Sequence, residues 1–258
     1  MRVGVCGAGG RMGREVCKAV AEERDLELVS AVDPAWEGSS LGELVPGLPE
    51  DLAVSGDVRD LVESGAEVMV DFSLAEAARR NVPFALGQGI YCVVGTTGLG
   101  EEDLEAFAAA AGEKGVACLV APNFAIGAVL MMDFARRASR FMEGCEIVEL
   151  HHAAKLDAPS GTARMTARLV GGERRGDEGA VADGDARGME LNGVRVHSVR
   201  LPGLVAHQEV IFGGRGQTLT IRHDSYDRSS FMPGVIMAVR GIREMSGLVL
   251  GLEKLMDL

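Results

Sequence analysis

The 258-residue sequence has no paired cysteines, no long apolar run and no excess of basic charge. Its five cysteines form no Cys-x-x-Cys pair and no metal-ligand spacing, so we expect buried free thiols in a reducing cytoplasm. No apolar run approaches the ~20 residues of a membrane span. Residues 1–3 lead directly into a predicted strand, which leaves no room for a signal peptide. The formal net charge of −12 argues against partners such as nucleic acid or an anionic membrane, since both require a basic surface.

Lysine is also scarce. Only four of the 26 basic residues are lysines, and one of them, Lys155, lies beside two adjacent histidines. A lysine can release its proton inside a protein, whereas an arginine cannot. The choice of lysine at this position therefore suggests proton chemistry.

The segment 149–162 concentrates side chains that move protons or carry charge near neutral pH. Its candidate functional residues are His151, His152 and Lys155, followed by Ser160, Gly161 and Thr162. The last three begin a predicted helix (163–170), where free backbone N–H groups and two hydroxyls would bind a carboxylate or phosphate. The combination predicts a catalytic centre for a small anionic molecule. A surface loop with an ordinary helix N-cap is the alternative.

The N-terminal residues follow the order of a dinucleotide-binding unit. A short apolar strand (2–6) leads into a glycine-rich turn and an amphipathic helix (14–23). The turn does not match Gly-x-Gly-x-x-Gly, because Met12 takes the third glycine position. It does match Gly-x-x-Gly-x-x-Gly at Gly7, Gly10 and Gly13.

A second predicted strand (26–32) ends at Asp33, twenty residues after Gly13. A carboxylate at this position is placed to bind the adenosine ribose hydroxyls. It would also repel a 2′-phosphate and so favours NADH over NADPH, although Arg11 would partly offset that repulsion. A turn residue before Pro34 is the alternative role for Asp33.

Strands and helices continue to alternate up to residue 124, which predicts a parallel, doubly wound sheet. The predicted strands are 67–72, 91–94 and 116–120, and the predicted helices are 56–64, 74–87 with a kink near Pro83, and 101–111. Ligands of such sheets lie beyond the carboxyl ends of the strands. We therefore expect the small and polar residues of 71–73, 95–98 and 121–124 to line one cofactor crevice.

The second half has a different pattern. A predicted helix (126–142) precedes the His-Lys segment, and the charged, glycine-rich residues 171–193 predict a mobile loop. Strand-like runs at 194–201, 208–212 and 217–223 predict an open sheet with antiparallel pairing, which oligomerisation would cover. Residues 231–245 are apolar at helical spacing and predict a packing helix.

The glycine-rich turn, the sequence Gly-Thr-Thr-Gly at 95–98, Asn-Phe at 123–124 and His-His-Ala-Ala-Lys-Leu-Asp-Ala-Pro-Ser-Gly-Thr at 151–162 together closely resemble bacterial dihydrodipicolinate reductases, now called 4-hydroxy-tetrahydrodipicolinate reductases. The resemblance implies an α/β fold: a Rossmann domain (1–123 and 231–258) with a doubly wound parallel sheet, and a smaller α+β substrate-binding and oligomerisation domain (124–230) whose open mixed sheet builds a homotetramer. It implies a cytoplasmic oxidoreductase of lysine and diaminopimelate biosynthesis. The reaction would be NAD(P)H-dependent reduction of a cyclic imine dicarboxylate to tetrahydrodipicolinate.

The resemblance also implies roles for individual residues. Cofactor binding would involve Gly7, Ala8, Gly9, Gly10, Arg11 and Met12 at the pyrophosphate, Asp33 at the ribose, and Gly95, Thr96, Thr97, Ala121, Pro122, Asn123 and Phe124 on the nicotinamide side. His151 would donate or accept a proton, and Lys155 would donate one close to the substrate. Substrate binding would involve His152, Ser160, Gly161 and Thr162.

Two positions depart from the pattern of family members that accept NADPH. Pro34 stands where such members commonly carry a basic residue, and Leu74 stands where some relatives carry arginine. Both changes remove contacts to a 2′-phosphate. We therefore expect NADH to be the preferred cofactor. NADPH is the alternative cofactor, because Arg11 would partly offset the repulsion of its 2′-phosphate.

Other functions are less consistent with the sequence. The adjacent histidines lack the His-x-x-x-His and His-Glu-x-x-His spacings, so no metal is expected. Ser160 lacks the Gly-x-Ser-x-Gly elbow of a nucleophile and is expected to act as an N-cap. His197, His207 and His223 are expected to be structural, and a place for one or more of them in the basic substrate pocket is the alternative. A non-catalytic NAD sensor would explain the glycine-rich turn but not His151 and Lys155, and a reductase of a different imine is a further alternative.

Overall fold

The computed structural model describes residues 1–172, 187–256 and 258. The chain divides into two compact units: Met1–Phe124 with Phe231–Leu258, and Ala125–Ser230. We refer to them as the first and the second unit. The assignment of cofactor binding to one and of substrate binding and oligomerisation to the other remains a prediction.

The strands are β1 (Arg2–Cys6), β2 (Glu27–Val32), β3 (Val54–Ser55), β4 (Val68–Asp71), β5 (Tyr91–Val94), β6 (Ala117–Val120), β7 (Gly144–His151), β8 (Met189–Leu191), β9 (Val194–Arg200), β10 (Ala206–Gly214), β11 (Gln217–Ser225) and β12 (Gly247–Leu250). The α-helices are α1 (Arg11–Glu22), α2 (Leu41–Leu44), α3 (Asp60–Glu63), α4 (Ala75–Gly87), α5 (Glu101–Lys114), α6 (Ile126–Ala138), α7 (Gly161–Gly171) and α8 (Met232–Gly241). Short 3-10 turns flank α8 at Arg228–Phe231 and Ile242–Glu244.

The first unit contains a seven-stranded parallel sheet in the order β12-β6-β5-β4-β1-β2-β3, which confirms the predicted doubly wound fold. The central strands β1, β4 and β5 are almost wholly buried, as expected where helices cover both faces of a sheet. The strand order reverses at β1, so the turns after β1 and β4 flank the switch point where ligands of such sheets bind.

The helix boundaries differ from the predictions at several points. Only Asp60–Glu63 is helical within 56–64, α6 ends at Ala138, and α5 continues to Lys114. The extension of α5 ends at Gly115, whose φ of 68° is the left-handed conformation that glycine adopts readily. The helix predicted over 74–87 is present as α4, which contains Pro83 and continues to Gly87.

The second unit contains a five-stranded sheet in the order β11-β10-β7-β9-β8. Three of its strand pairs are antiparallel, whereas β7 and β9 run parallel, which confirms the open mixed sheet that the family resemblance implied. The helix α7 lies between these two strands in the chain, and a crossover of this kind allows parallel pairing. Helix α6 packs against α7 and β11.

The predicted mobile loop at 171–193 lies largely outside the described residues. In its described part, Gly171 belongs to α7 and Met189–Leu191 pairs with β9, which corrects the prediction at both ends. Across the part of the chain that the structure describes, no helix is long and apolar enough to cross a membrane.

Candidate active site

The glycine-rich turn of the first unit is shaped by close backbone packing. Gly7 has a φ of 77°, and a Cβ there would lie 2.7 Å from the carbonyl oxygen of Phe72. A Cβ at Gly13 would collide with the carbonyl oxygen of Gly7, so α1 can approach the turn only with glycine at this position. Gly10 is the N-cap residue of α1, where no side chain of the described residues caps the helix. No side chain of the described residues therefore occupies the N-terminus of α1, and free N–H groups at a helix N-terminus are the kind of donors that a pyrophosphate requires.

Asp33 follows β2 and is half-buried beside the glycine-rich turn. Its Oδ2 accepts a hydrogen bond from the Gly9 N–H at 3.0 Å, and its Oδ1 accepts one from the Ala35 N–H at 3.1 Å. The indole ring of Trp36 covers Gly9, where a Cβ would collide with it, and the Arg14 guanidinium lies 5.0 Å from the ring centroid. Asp33 thus caps its own turn and also joins it to the glycine-rich turn.

The turns after β4 and β5 are joined through a buried carboxylate. Asp71 Oδ1 accepts hydrogen bonds from the Ser73 hydroxyl at 2.7 Å and the Thr96 hydroxyl at 2.6 Å, while its Oδ2 has no partner among the described residues. The Phe72 ring lies against Gly95 and 5.6 Å from the Phe124 ring, centroid to centroid. The strand-end turns predicted to share one edge of the sheet therefore meet there.

The remaining residues predicted on the nicotinamide side follow the same strand ends. Ala121 and Phe124 are buried, Asn123 is half-buried, and Thr97 and Pro122 are exposed. Together with Gly95 and Thr96, they form the carboxyl edge at β5 and β6. A dinucleotide fits these elements, because the first-turn amides, the bare glycine backbone and a carboxylate at the end of β2 are the features that such a ligand requires.

In the second unit, His151 is the last residue of β7. Residues two apart in a strand share a face, and Glu149 accordingly lies beside His151. Glu149 is fully buried, and its Oε2 lies 2.5 Å from His151 Nδ1. The Ser160 N–H donates to Glu149 Oε1 at 3.2 Å, while the Ser160 hydroxyl accepts a hydrogen bond from the Ala163 N–H and so caps α7.

Arg200, at the end of β9, was not predicted as a site residue. Its Nη1 and Nη2 donate to the two oxygens of Glu149, each at 2.8 Å, and Nη2 also donates to the Asp157 carbonyl at 2.6 Å. The Asp157 carboxylate lies 2.7 Å from Lys155 Nζ. A continuous series of contacts therefore connects His151 to Lys155 through Glu149, Arg200 and Asp157.

Sequence reasoning missed Glu149 and Arg200. For Glu149 the signal is its spacing, because residues 149 and 151 are two apart and share a face once this segment forms a strand. No such signal exists for Arg200, which faces His151 across the parallel β7–β9 pair.

The carboxylates of this series are held in the ionised form. Burial acts to raise the pKa of Glu149, but the hydrogen bonds from His151 and Arg200 outweigh this effect and lower it to about 2. The hydrogen bond from Lys155 lowers the pKa of Asp157.

In the first unit, burial raises the pKa of the Cys17 and Cys118 thiols to about 12, which makes them poor nucleophiles.

Of the other four histidines, His197 and His207 each face a carboxylate. His152 is exposed, His197 Nε2 lies 2.8 Å from Glu146 Oε2, and His207 Nδ1 lies 2.6 Å from Asp224 Oδ1. Burial lowers the pKa of His223, which packs at Gly127 in the first turn of α6. Within residues 1–172, 187–256 and 258, no three His, Cys, Asp or Glu side chains form a group that could hold a metal ion.

Comparison with known proteins gives consistent results over the full chain. The family models for the N-terminus and the C-terminus of dihydrodipicolinate reductase match residues 1–124 and 127–256. The 4-hydroxy-tetrahydrodipicolinate reductase of Listeria monocytogenes serotype 4b (strain F2365) is 47% identical over 264 positions, which span 100% of both chains. That of Syntrophomonas wolfei subsp. wolfei is 46% identical over 261 positions, covering 99% of this chain and 98% of the relative.

Solved structures agree. The dipicolinate-bound dihydrodipicolinate reductase from Paenisporosarcina sp. TG-14 is 40% identical, with a TM-score of 0.86 and 98% of each chain covered. An amine dehydrogenase from Mycobacterium smegmatis, 14% identical with a TM-score of 0.65 and coverage of 96% and 94%, shares the fold alone. The chain therefore belongs to the dihydrodipicolinate reductase family and is an NAD(P)H-dependent oxidoreductase.

Proposed function

We propose that the second unit binds and protonates the substrate, while the first unit binds the nicotinamide cofactor. The reaction is that of the family, 4-hydroxy-tetrahydrodipicolinate reductase: NAD(P)H-dependent reduction of a cyclic imine dicarboxylate to tetrahydrodipicolinate in lysine and diaminopimelate biosynthesis. The observation that carries the proposal is the series of contacts from His151 through Glu149, Arg200 and Asp157 to Lys155.

The proton chemistry follows from the substrate class. The bound nicotinamide supplies a hydride, and hydride addition to a conjugated imine leaves an enamine-like anion that must gain a proton. We assign His151 as the proton donor or acceptor, because its Nδ1 faces Glu149 and leaves Nε2 as the exchanging atom. Lys155 is the second cationic donor, and its charge also offsets the acidic character of the chain near an anionic substrate.

The substrate carboxylates require donors, and the start of α7 offers them. The Ser160 hydroxyl is engaged as the N-cap and its N–H binds Glu149, so Ser160 shapes the turn. We assign the carboxylate contacts to the backbone at Gly161 and Thr162 and to the exposed His152, with Ser160 contributing through its position at the turn.

We assign NADH as the preferred cofactor and NADPH as a weaker alternative. The carboxylate of Asp33 lies beside the glycine-rich turn, Pro34 carries no charge, and the Leu74 side chain is 79% exposed at the turn after β4. A 2′-phosphate would meet a negative charge and an apolar side chain at these positions, and Arg11 would be its compensating contact.

A coupled initial-rate assay tests the function. The substrate is generated in situ by the preceding synthase from pyruvate and aspartate semialdehyde, with NADH and NADPH compared at equal concentration. We expect cofactor oxidation that depends on the synthase product and is faster with NADH. Binding of NADH without oxidation would instead favour the sensor or a different imine substrate.

The residue assignments are tested by His151→Gln and Lys155→Ala. General acid–base groups contribute about 10²–10⁴-fold, so we expect turnover to fall by a factor of this order in both variants. NADH affinity, measured by fluorescence titration, should stay close to that of the unmodified protein, because neither residue belongs to the first unit. Full turnover in both variants would remove the assignment.

We further propose that the protein is a cytoplasmic homotetramer. The five cysteines are buried and free of disulfides within the described chain, as in proteins of a reducing compartment. The strand β11 forms an edge of the second sheet and is exposed along most of its length, including Leu219. An exposed edge of this kind is usually covered by another subunit or by charged residues.

A further inference from the structure

The carboxylate of Glu149 is fully buried and has hydrogen-bond donors at both oxygens. Its Oε2 faces His151 Nδ1 at 2.5 Å and accepts from Arg200 Nη1, while its Oε1 accepts from Arg200 Nη2 and the Ser160 N–H. The guanidinium and the carboxylate form a two-bond fork with both distances at 2.8 Å. His151 therefore contacts a carboxylate that is fully buried and already paired with a guanidinium, rather than an isolated carboxylate.

An ion pair with a fully buried carboxylate and a partly exposed guanidinium needs a reason beyond stability. Removing the carboxylate charge from water costs several kcal/mol before its attraction to the guanidinium is counted, and apolar residues of similar volume often serve a fold equally well. Arg200 Nε, moreover, is buried without a hydrogen-bond partner among the described residues. The pair is thus not optimised for stability alone. We look for its role in the side chain that it contacts, His151.

We propose that Glu149 and Arg200 are positioning residues, which fix the orientation of His151 and set the pH range in which it donates its proton. The proposal rests on the proposed role of His151. Because Glu149 accepts a hydrogen bond from the Nδ1–H of His151, the orientation of the ring is fixed. Nε2 is then the nitrogen that exchanges a proton with the substrate. Glu149 places a negative charge beside Nδ1, and Arg200 neutralises part of that charge.

Arg200 has a second contact that extends its positioning role. The same Nη2 that binds Glu149 donates to the carbonyl oxygen of Asp157 at 2.6 Å, and the carboxylate of Asp157 binds Lys155. One guanidinium therefore holds the carboxylate that orients His151 and the backbone beside Lys155. Its removal should disturb both proton donors.

Among the described residues, the series of contacts that starts at His151 takes its charged groups from three parts of the second unit. They are Glu149 on β7, Arg200 on β9, and Lys155 and Asp157 in the segment before α7. The neighbouring strand β10 contributes the neutral Ala206 and Gln208 opposite His151 and Glu149, and the start of α7 contributes the neutral Ser160. Glu149 and Arg200 are the charged groups of this set that hold each other in the two-bond fork, so their removal is the direct test.

The test compares Glu149→Gln with Glu146→Gln. Glu146 lies on the same strand and its carboxylate faces His197, on the same neighbouring strand, at 2.8 Å, so it is a matched carboxylate–histidine pair away from His151. We expect kcat in Glu149→Gln to fall about tenfold or more, with KM and NADH affinity changed less than about threefold. The alkaline limb of the pH profile of kcat should move to lower pH by about half a unit or more, because the imidazolium loses its counter-charge. Glu146→Gln should keep the original profile.

Arg200→Lys is the second variant, and it also serves if Glu149→Gln does not fold. Lysine keeps the positive charge but cannot form the fork, so Glu149 presents more of its charge to His151. We therefore expect the alkaline limb to move in the opposite direction, to higher pH. A merely structural pair would lower the melting temperature and leave the profile of the folded enzyme unchanged.

His151→Gln separates the two proposals. Lost turnover in His151→Gln, together with unaltered pH profiles in Glu149→Gln and Arg200→Lys, would overturn the positioning proposal alone. Full turnover in His151→Gln would overturn the proposed role of His151 itself. Opposite shifts in the two variants, with no shift in Glu146→Gln, are the result that we expect.

Discussion

At the scale of single residues, Asp33 shows how one side chain can serve both a turn and a ligand site. One carboxylate oxygen caps the turn at Ala35, and the other binds the Gly9 N–H of the glycine-rich turn. The sequence offered these as alternatives, a turn residue or a cofactor ligand. The turn contact is present in the structure, and the ribose contact remains a proposal that the same carboxylate can fulfil.

Substitution of Asp33 should change the cofactor ratio. We expect Asp33→Ala to weaken NADH binding and to improve NADPH relative to NADH, because the repulsion of a 2′-phosphate is removed together with the proposed ribose contact. The ratio of kcat/KM for the two cofactors is the measurement. Asp57→Ala is the control, since Asp57 also caps its own turn, at the Arg59 N–H, but does not follow β2. An unaltered ratio in Asp33→Ala would show that the ribose contact is misassigned.

At the scale of elements, the contact between α1 and the glycine-rich turn determines how close the helix N-terminus comes to the end of β1. The contact requires glycine at position 13, where any Cβ would collide with the Gly7 carbonyl. A helix N-terminus that approaches the turn this closely directs its free N–H groups toward the same edge.

Gly13→Ala should therefore destabilise the first unit and impair cofactor binding. Forced overpacking typically costs about 1–3 kcal/mol, and displacement of α1 should raise the Kd for NADH. Gly112→Ala is the matched control, because Gly112 lies in α5 and a Cβ there would meet no atom of the described residues within 4 Å. This control should be neutral or stabilising by about 0.5–1 kcal/mol. Equal melting temperatures and NADH affinities in both variants would contradict the packing argument.

At the scale of the whole molecule, carboxylates with lowered pKa values make stability depend on pH. They occur in both units, as in Glu67 beside Arg2 and Arg243, and in Glu146, Glu149 and Asp224. A carboxyl group whose folded pKa lies below its unfolded value contributes stability above the unfolded value, and this contribution is lost as the pH falls through the folded value.

We expect the free energy of unfolding to decrease as the pH falls from about 5 to about 3, since the unfolded pKa of glutamate is near 4.5 and that of Glu149 in the fold is about 2. Urea unfolding curves at a series of pH values measure this effect. Glu149→Gln should reduce the slope, because one of the titrating groups is absent. A free energy of unfolding that stays constant over this range would contradict the ionised assignments.

The proposed tetramer is also tested on the whole molecule. Sedimentation velocity should give a species of about 108 kDa, four times the 27.1 kDa chain. Leu219→Asp places a charge on the exposed strand β11 and should weaken the assembly if this edge is part of the interface. A 27 kDa species in the unmodified protein would contradict the proposal.

Local pattern was sufficient for elements whose signals lie close together in the chain. The strand, glycine-rich turn and helix at the N-terminus were predictable because apolar runs and glycines mark them directly. Local pattern was insufficient for β3, which has two residues, and for β12, whose residues 247–250 follow the last helical turns without a period of their own. Local pattern also could not predict that β9 runs parallel to β7, because the direction of pairing depends on the connection between the strands.

The sequence by itself determined the fold class, the family and the clustering of His151, Lys155 and the α7 N-terminus, because these depend on residues that are neighbours in the chain. Only the tertiary structure places the Arg200 guanidinium in hydrogen-bond contact with Glu149, 51 residues away in the chain. This contact connects His151 with Lys155. That contact depends on the parallel register that pairs residue 151 with residue 200. Register is a property of the folded sheet, since a strand's alternating pattern defines its faces but not which residue of another strand lies opposite.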